Sequence, residues 1–542
     1  MQTKSRDATN GRYWTLTRTV FVTLGVRACG LLAALMVVGV PGASAAAADS
    51  SGWTVYHHDV AGSGVASSVS RVDTSVRAWR SPRLDGDIFG EPLGAAGKVY
   101  VATENDTVYA LSAATGKTVW SRHVGAPVPS QSLPCGNIFP TVGITGTPVI
   151  DQARSEIFVV ADELVNGSPA HILVGLNTAS GRIEMTRAVD PAGADRAALL
   201  QRTGLTLDAG RVVFGFGGNY GDCSTYRGSL VAVNEAGGAP IRFTVDAATG
   251  QSQGAVWMGG AAPSVDSAGH IWAGVGNGSV TSPADAYDYS DSVLELSSSL
   301  RLLQYFAPSA WASNNATDLD LSTEPAFLPN GYVLAAGKSH TAYLLKSSHL
   351  GGIGGQAALL ASVCSGDVAG GTAVVGTTIY LPCLSGIVAL NVGISRASLQ
   401  VLWSSHVGGG PPIVAASRVW TIGQNGFLYG LSPATGAVQQ EISIGVPANH
   451  FPTPSVADGL LLAASADQVV AFKASAAQSA PSTPTTVRNS ATTAAVTSTS
   501  AGTPAAGRRS GGVAAAPIVA LVVGAGAAIA VALWLLRRRQ TT

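Results

Sequence analysis

The sequence predicts an all-β fold, an eight-bladed β-propeller of four-stranded antiparallel blades. Three observations carry that expectation. One phrase of apolar, β-branched residues broken by Gly turns is written about eight times along the chain. Within the body, helical composition is confined to residues 194–201. A Trp-bearing segment near the start lacks a partner unless the ring closes on itself.

The phrase is plainest in GKVYVATENDTVYALSAATGKTVW, residues 97–120. Residues 98–102 are rich in β-branched and aromatic side chains, which marks a strand. Asn105-Asp106 makes a tight turn and residues 107–111 form a second strand. Ala114-Thr115-Gly116 turns again, Gly supplying positive φ, before Val119-Trp120 opens a third. Copies follow as SEIFVVADE…HILVGLNTASGRI from Ser155, GRVVFGFGG…GSLVAVNEAGG from Gly210 and GHIWAGVGN…DSVLELSSSL from Gly269. GYVLAAGKSHTAYLL from Gly331, TTIYLPCLSGIVALN from Thr377, SRVWTIGQNGFLYGLSPATG from Ser417 and GLLLAASADQVVAF from Gly459 complete the set. Short meanders repeated at this spacing favour radial closure, which leaves only short, protected edges. The last copy ends near Phe472 with no Trp-led strand behind it. Val76-Arg77-Ala78-Trp79-Arg80 reads like Val119-Trp120-Ser121-Arg122 and Val401-Leu402-Trp403-Ser404, so this early strand is expected to complete the last blade.

The ends differ from the body. In residues 1–48, basic residues precede an apolar run and Ala43-Ser44-Ala45 offers a small-residue cleavage site, as in a signal peptide. The alternative, an uncleaved anchor, needs a longer apolar run. Residues 513–536 are uncharged and would reach about 36 Å as a helix, enough to span a bilayer. Arg537, Arg538 and Arg539 follow, so residues 537–542 form a cytoplasmic tail. Residues 475–512, rich in Ser, Thr, Ala and Pro, read as a disordered stalk. The body, 49–474, is therefore expected on the extracellular side of the cell membrane, held by one C-terminal transmembrane helix. Lys and Arg number 32 against 32 Asp and Glu, which gives no footprint for nucleic acid.

Cys29 leaves with the signal, and Cys135, Cys223, Cys364 and Cys383 remain. An even number outside the cell favours disulfides. Of the three possible pairings, Cys364–Cys383 as a local staple with Cys135–Cys223 as a bridge between blades is preferred. None forms a CxxC pair suited to zinc.

VYVATENDTVYALSAATGKTVW resembles the repeat of the PQQ-type β-propellers, a superfamily that holds the quinoprotein alcohol dehydrogenases and a lipoprotein assisting outer-membrane barrel assembly. The resemblance covers residues 53–473. From GWTVYHHDVAGSG onward the chain looks especially like exported or membrane-anchored propellers of high-GC bacteria. Fold follows from it; function does not, because one propeller hosts many functions.

A quinoprotein site would need an aromatic floor for the quinone, oxygen ligands for calcium, a carboxylate base and a cation. GAVWMGGAAPSVDSAGHIWAGVGN resembles the family stretch that places Trp257 under PQQ and Asn277 on calcium. In TDLDLSTEP the resemblance makes Asp318 the base and Asp320 a second calcium ligand, with Thr317 where the family has Trp. AAGKSHTAYLL matches the blade whose Lys touches the quinone, here Lys338. Plainer readings stand beside these: Trp257 filling blade volume, Asn277-Gly278 as a type I′ turn, Asp318 and Asp320 solvated in a loop, Lys338 in a hairpin turn. Two family features are missing: the adjacent cysteines, of which PCGNIFP keeps only Cys135, and the calcium-binding Glu, near which only Asp222 stands. No CxxCH offers a haem attachment. His57-His58-Asp59 carries no metal reading, since neighbours on a strand point to opposite faces. His123, His406 and His450 read as packing or hydrogen-bonding residues.

Two functions are thus expected. The favoured one is a cell-surface binding or scaffold module for a protein or cell-envelope ligand, without catalysis or with a degenerate site. The other is an exported dehydrogenase using PQQ and calcium on an alcohol or sugar.

Overall fold

Each copy of the repeat folds as a meander whose strands lie side by side in chain order. In the first blade Leu93–Ala95, Lys98–Ala102, Thr107–Ser112 and Thr118–His123 pair antiparallel. The computed structural model describes residues 52–476 apart from 192, 248 and 249. The expected signal peptide, transmembrane helix and tail lie outside these residues, as does the stalk except for its first two positions, which continue the strand Gln468–Ala476. Among the described residues no helix is long and apolar enough to cross a membrane.

Blades 2 to 8 begin with Val149–Asp151, Thr206–Asp208, Ser264–Val265, Ala326–Leu328, Ala373–Val375, Ile413–Ala415 and Ser455–Ala457. The chain is all-β and its ring has eight blades. Burial falls from the axis outward: Lys98–Ala102 is buried beyond its first residue, whereas Thr118–His123 is largely exposed. Inner strands are covered on both faces by neighbouring blades, so they read as continuous apolar runs. Blade 8 is closed by the early segment. Val69–Arg80 pairs antiparallel with Gln468–Ala476, setting Trp79 opposite Ala471 and Arg77 opposite Phe472.

Adjacent blades are stapled at the rim. Indole Nε1 of Trp79, Trp120 and Trp403 donates to the carbonyls of Ala113, Thr178 and Pro433, each in the outer turn of the next blade, at 2.7, 3.0 and 2.8 Å. Each ring lies flat over the Gly of that turn. A Cβ on Gly116, Gly181 or Gly436 would stand 2.5, 2.6 or 2.4 Å from the indole, closer than atoms pack. All three glycines also have positive φ.

The stretch before the latch occupies the axis. Trp53 exchanges two backbone hydrogen bonds with Gly94 of blade 1 (2.8 and 2.9 Å), and the Thr54 carbonyl accepts from Ile150 of blade 2 (2.8 Å). The carbonyls of Val60, Ser63 and Gly64 accept from Val265, Val374 and Val414 of blades 4, 6 and 7. Chain order is ring order, so residues 53–66 make one circuit of the inner strands. Val65–Ala66 then joins Ile413–Ala415 as a parallel strand.

Disulfides join Cys135 to Cys223 and Cys364 to Cys383. Two local expectations fail. Residues 194–201 are not helical; Leu199 is fully buried and Leu199–Leu200 pairs with Gly217 and Gly218, so burial against blade 3 outweighs local preference. The one α-helix among the described residues is Trp311–Ala316. His57 and His58 do not lie on a strand; both have positive φ, and the His57 ring stacks on Tyr56.

Candidate axial site

One end of the axis is furnished by turns between second and third strands and by connections between blades. These bring Trp257, Asn277, Asp318, Asp320 and Lys338 into one cluster. Lys338 Nζ lies 2.7 Å from Asp318 Oδ1 and 2.6 Å from Asp320 Oδ2, and 5.4 Å from the centre of the Trp257 ring. The backbone N–H of Asn277 donates to the other oxygen of Asp320. Neither Asn277 nor Gly278 takes the left-handed conformation of a type I′ turn.

Asp318 is exposed and Asp320 buried. Burial pushes the Asp320 carboxyl up to about 6, even though Lys338 and the Asn277 N–H pull it down. Burial alone would lower the Lys338 ammonium, but the charges and hydrogen bonds of Asp320 and Asp318 hold it above its usual range.

From Trp257 the cluster continues across the axis as a ladder of rings and cations. Phe451 lies 5.8 Å from Trp257, and the Arg202 guanidinium sits 5.3 Å from Phe451 and 5.9 Å from Phe89. Such spacings suit cation–π attraction, strongest when water is excluded. Arg202 is buried and donates to Asn449 Oδ1 at 3.0 Å. Burial lowers its guanidinium to about 10 against the pull of Glu104, whose own carboxyl burial raises to about 7.

Beneath the ladder the axis is polar yet short of formal charge. Glu91 accepts from the His57 N–H (2.8 Å) and Glu324 from the Ser264 hydroxyl (2.9 Å). Both carboxyls are fully buried without a cation and are pushed well above the carboxylate range, chiefly by burial. Burial likewise drops His57 to about 3, so its ring is neutral. The cavity bounded by Tyr56, Glu91, Thr147, Arg202 and Phe451 has room for about one water molecule.

Calcium does not fit these residues as they stand. Calcium takes six to eight oxygens, whereas both oxygens of Asp320 and one of Asp318 are already held by Lys338 and Asn277. Asp222, the acid nearest the missing Glu, accepts from the Tyr226 hydroxyl at 2.6 Å.

Residue-by-residue reading missed Arg202, Phe451, Glu91 and Glu324. The glutamates left a signal: Glu91-Pro92 and Glu324-Pro325 stand at matching places, just before the inner strands of blades 1 and 5.

Residues 54–286 match the family model described as outer membrane protein assembly factor BamB. Quinohemoprotein alcohol dehydrogenase ADHIIG of Pseudomonas putida HK5 superposes with a TM-score of 0.60 at 13% identity, covering 79% of this chain and 81% of that one. The chain is an eight-bladed β-propeller, and residues 54–286 of it are similar to that family. The quinohemoprotein alcohol dehydrogenase of Comamonas testosteroni shares the propeller fold with a TM-score of 0.57 at 15% identity, over 81% and 82% of the two chains. BamB of Moraxella catarrhalis aligns with 73% of this chain and 99% of its own, at 14% identity and a TM-score of 0.50. Identities this low show the propeller fold alone. No curated protein matches in sequence.

Proposed function

We propose that this propeller is a binding or scaffold module of the cell surface, held by its C-terminal helix, with no quinone chemistry at its axis. The observation that carries this reading is the Lys338 ammonium lodged between Asp318 and Asp320. It supplies internally the positive charge that a shared metal ion would bring. The ladder of Trp257, Phe451, Arg202 and Phe89 adjoins it. Binding then belongs to the outer faces and rim of the ring, toward a protein or cell-envelope ligand.

The test is dye reduction by the purified chain given PQQ and calcium, across alcohols and sugars. A flat response is expected. A second reading, a PQQ- and calcium-dependent dehydrogenase, is favoured by one fact: five residues expected from the resemblance share one mouth. Saturable activity that disappears in Asp318→Asn would establish that reading and overturn the first.

A further inference from the structure

We propose that Asp266, His270 and Glu295 bind a divalent transition-metal ion of zinc's class, at the end of blade 4 opposite the axial cluster. The sheet itself assembles the three ligands. Asp266 and His270 flank a three-residue turn between the first and second strands, with Gly269 at a φ of +76°. His270 and Trp272 fall on one face by strand alternation. Trp272 pairs with Glu295, and Glu295 with Gln304. His270 Nδ1 thereby lies 2.7 Å from Glu295 Oε1 and 3.5 Å from Asp266 Oδ2. Among the described residues this is the one group of three or more such side chains whose donor atoms all lie within 4.8 Å of each other.

The spacing suits a metal. Bonds of 2.0–2.2 Å in a tetrahedron set donors about 3.3 Å apart, between the two separations present. His270 Nδ1 and Glu295 Oε1, 2.7 Å apart, would separate by about 0.6 Å to take an ion between them.

The carboxylates are also held from behind, which is how metal ligands are oriented. The fully buried Trp272 donates its indole N–H to Asp266 Oδ2 at 3.0 Å, and the N–H groups of Ala268 and His270 hold Oδ1 at 2.8 and 2.9 Å. Gln304 binds Glu295 Oε2, leaving Oε1 for the imidazole side. His270 is about a third exposed, so an ion can enter. Imidazole nitrogen with carboxylate oxygen selects zinc or its neighbours over calcium and magnesium, which prefer all-oxygen shells.

The experiment is calorimetric titration of the chelator-treated full chain with zinc, with cobalt(II) as a spectroscopic probe. One saturable equivalent is expected. It weakens at least tenfold in His270→Ala and Glu295→Gln and about tenfold in Gln304→Leu, and stays unchanged in His349→Ala. No binding, or binding undiminished in His270→Ala, overturns the proposal. Should the His270 variant fail to fold, the cobalt spectrum of the unaltered chain decides. Intense visible bands of a four-coordinate ion support the site, and the pale spectrum of hydrated cobalt overturns it.

Discussion

Asp106 turns the corner between two strands of blade 1 at a φ of +52°, buried with both carboxylate oxygens unpartnered. Burial, reinforced by Asp162, Glu163 and Glu104, raises its pKa to about 10. The native carboxyl therefore keeps its proton where the unfolded one loses it, and stability falls as pH rises from about 4 toward 10. Asp106→Asn should remove up to about 1.4 kcal/mol of that loss per pH unit. Melting temperatures measured from pH 5 to 9 would then be flatter for the variant; parallel curves would refute the burial argument. His57 works in the other direction. Its pKa, held at about 3 by burial, makes the folded state lose stability as pH drops from about 6.5 toward 3. At this scale the sequence was legible where a repeat fixes the position. Asn277 and Lys338 stand beside turns of blades 4 and 5, and Trp257, Asp318 and Asp320 in the connections that lead into those blades, all in stretches that the resemblance could align. Arg202 and Phe451 come from connections of irregular length, and nothing in their neighbours announces that they meet.

Strands and turns were the most readable layer, because inner strands buried on both faces spell unbroken apolar runs such as YVLAA at Tyr332–Ala336. The Trp and Gly of the repeat were visible as recurring letters, but their relation was not, since the two partners sit in different blades. Trp403 in blade 6 needs Gly436 in blade 7. Trp403→Ala should cost about 3–5 kcal/mol as a large buried side chain is lost. Gly436→Ala should also destabilise, by more than the 1–2 kcal/mol of a left-handed L-residue, because its methyl strikes the indole. Urea denaturation checks both through the midpoint; a neutral Gly436→Ala would show that the rim contact yields easily. The short helix Trp311–Ala316 escaped sequence reading for the opposite reason. WASNNA has no periodicity of its own and is fixed by Trp311 against Tyr287, ring centres 4.9 Å apart.

For the whole molecule, closure could be foreseen and the filling of the axis could not. The unpaired end at Phe472 and the unemployed Trp79 implied each other, and Val69–Arg80 joins them. Residues 53–66 carry no alternation to mark their path, because each residue meets a different blade. Removing this segment should unmask the N–H groups of Ile150, Val265, Val374 and Val414, which it accepts from. Hydrogen exchange at those four amides is expected to accelerate while the rim stays protected; unchanged exchange would mean the inner strands need no such filler. The latch also sets a clock. Ser81 and Val469, bonded across the closing sheet, are 388 positions apart, and at about 5–20 residues per second a ribosome needs roughly 20–80 s to deliver the second after the first. Throughout that interval the finished early strand has no mate. The nascent chain is thus kept from locking into its final closed form until its last sheet has been made.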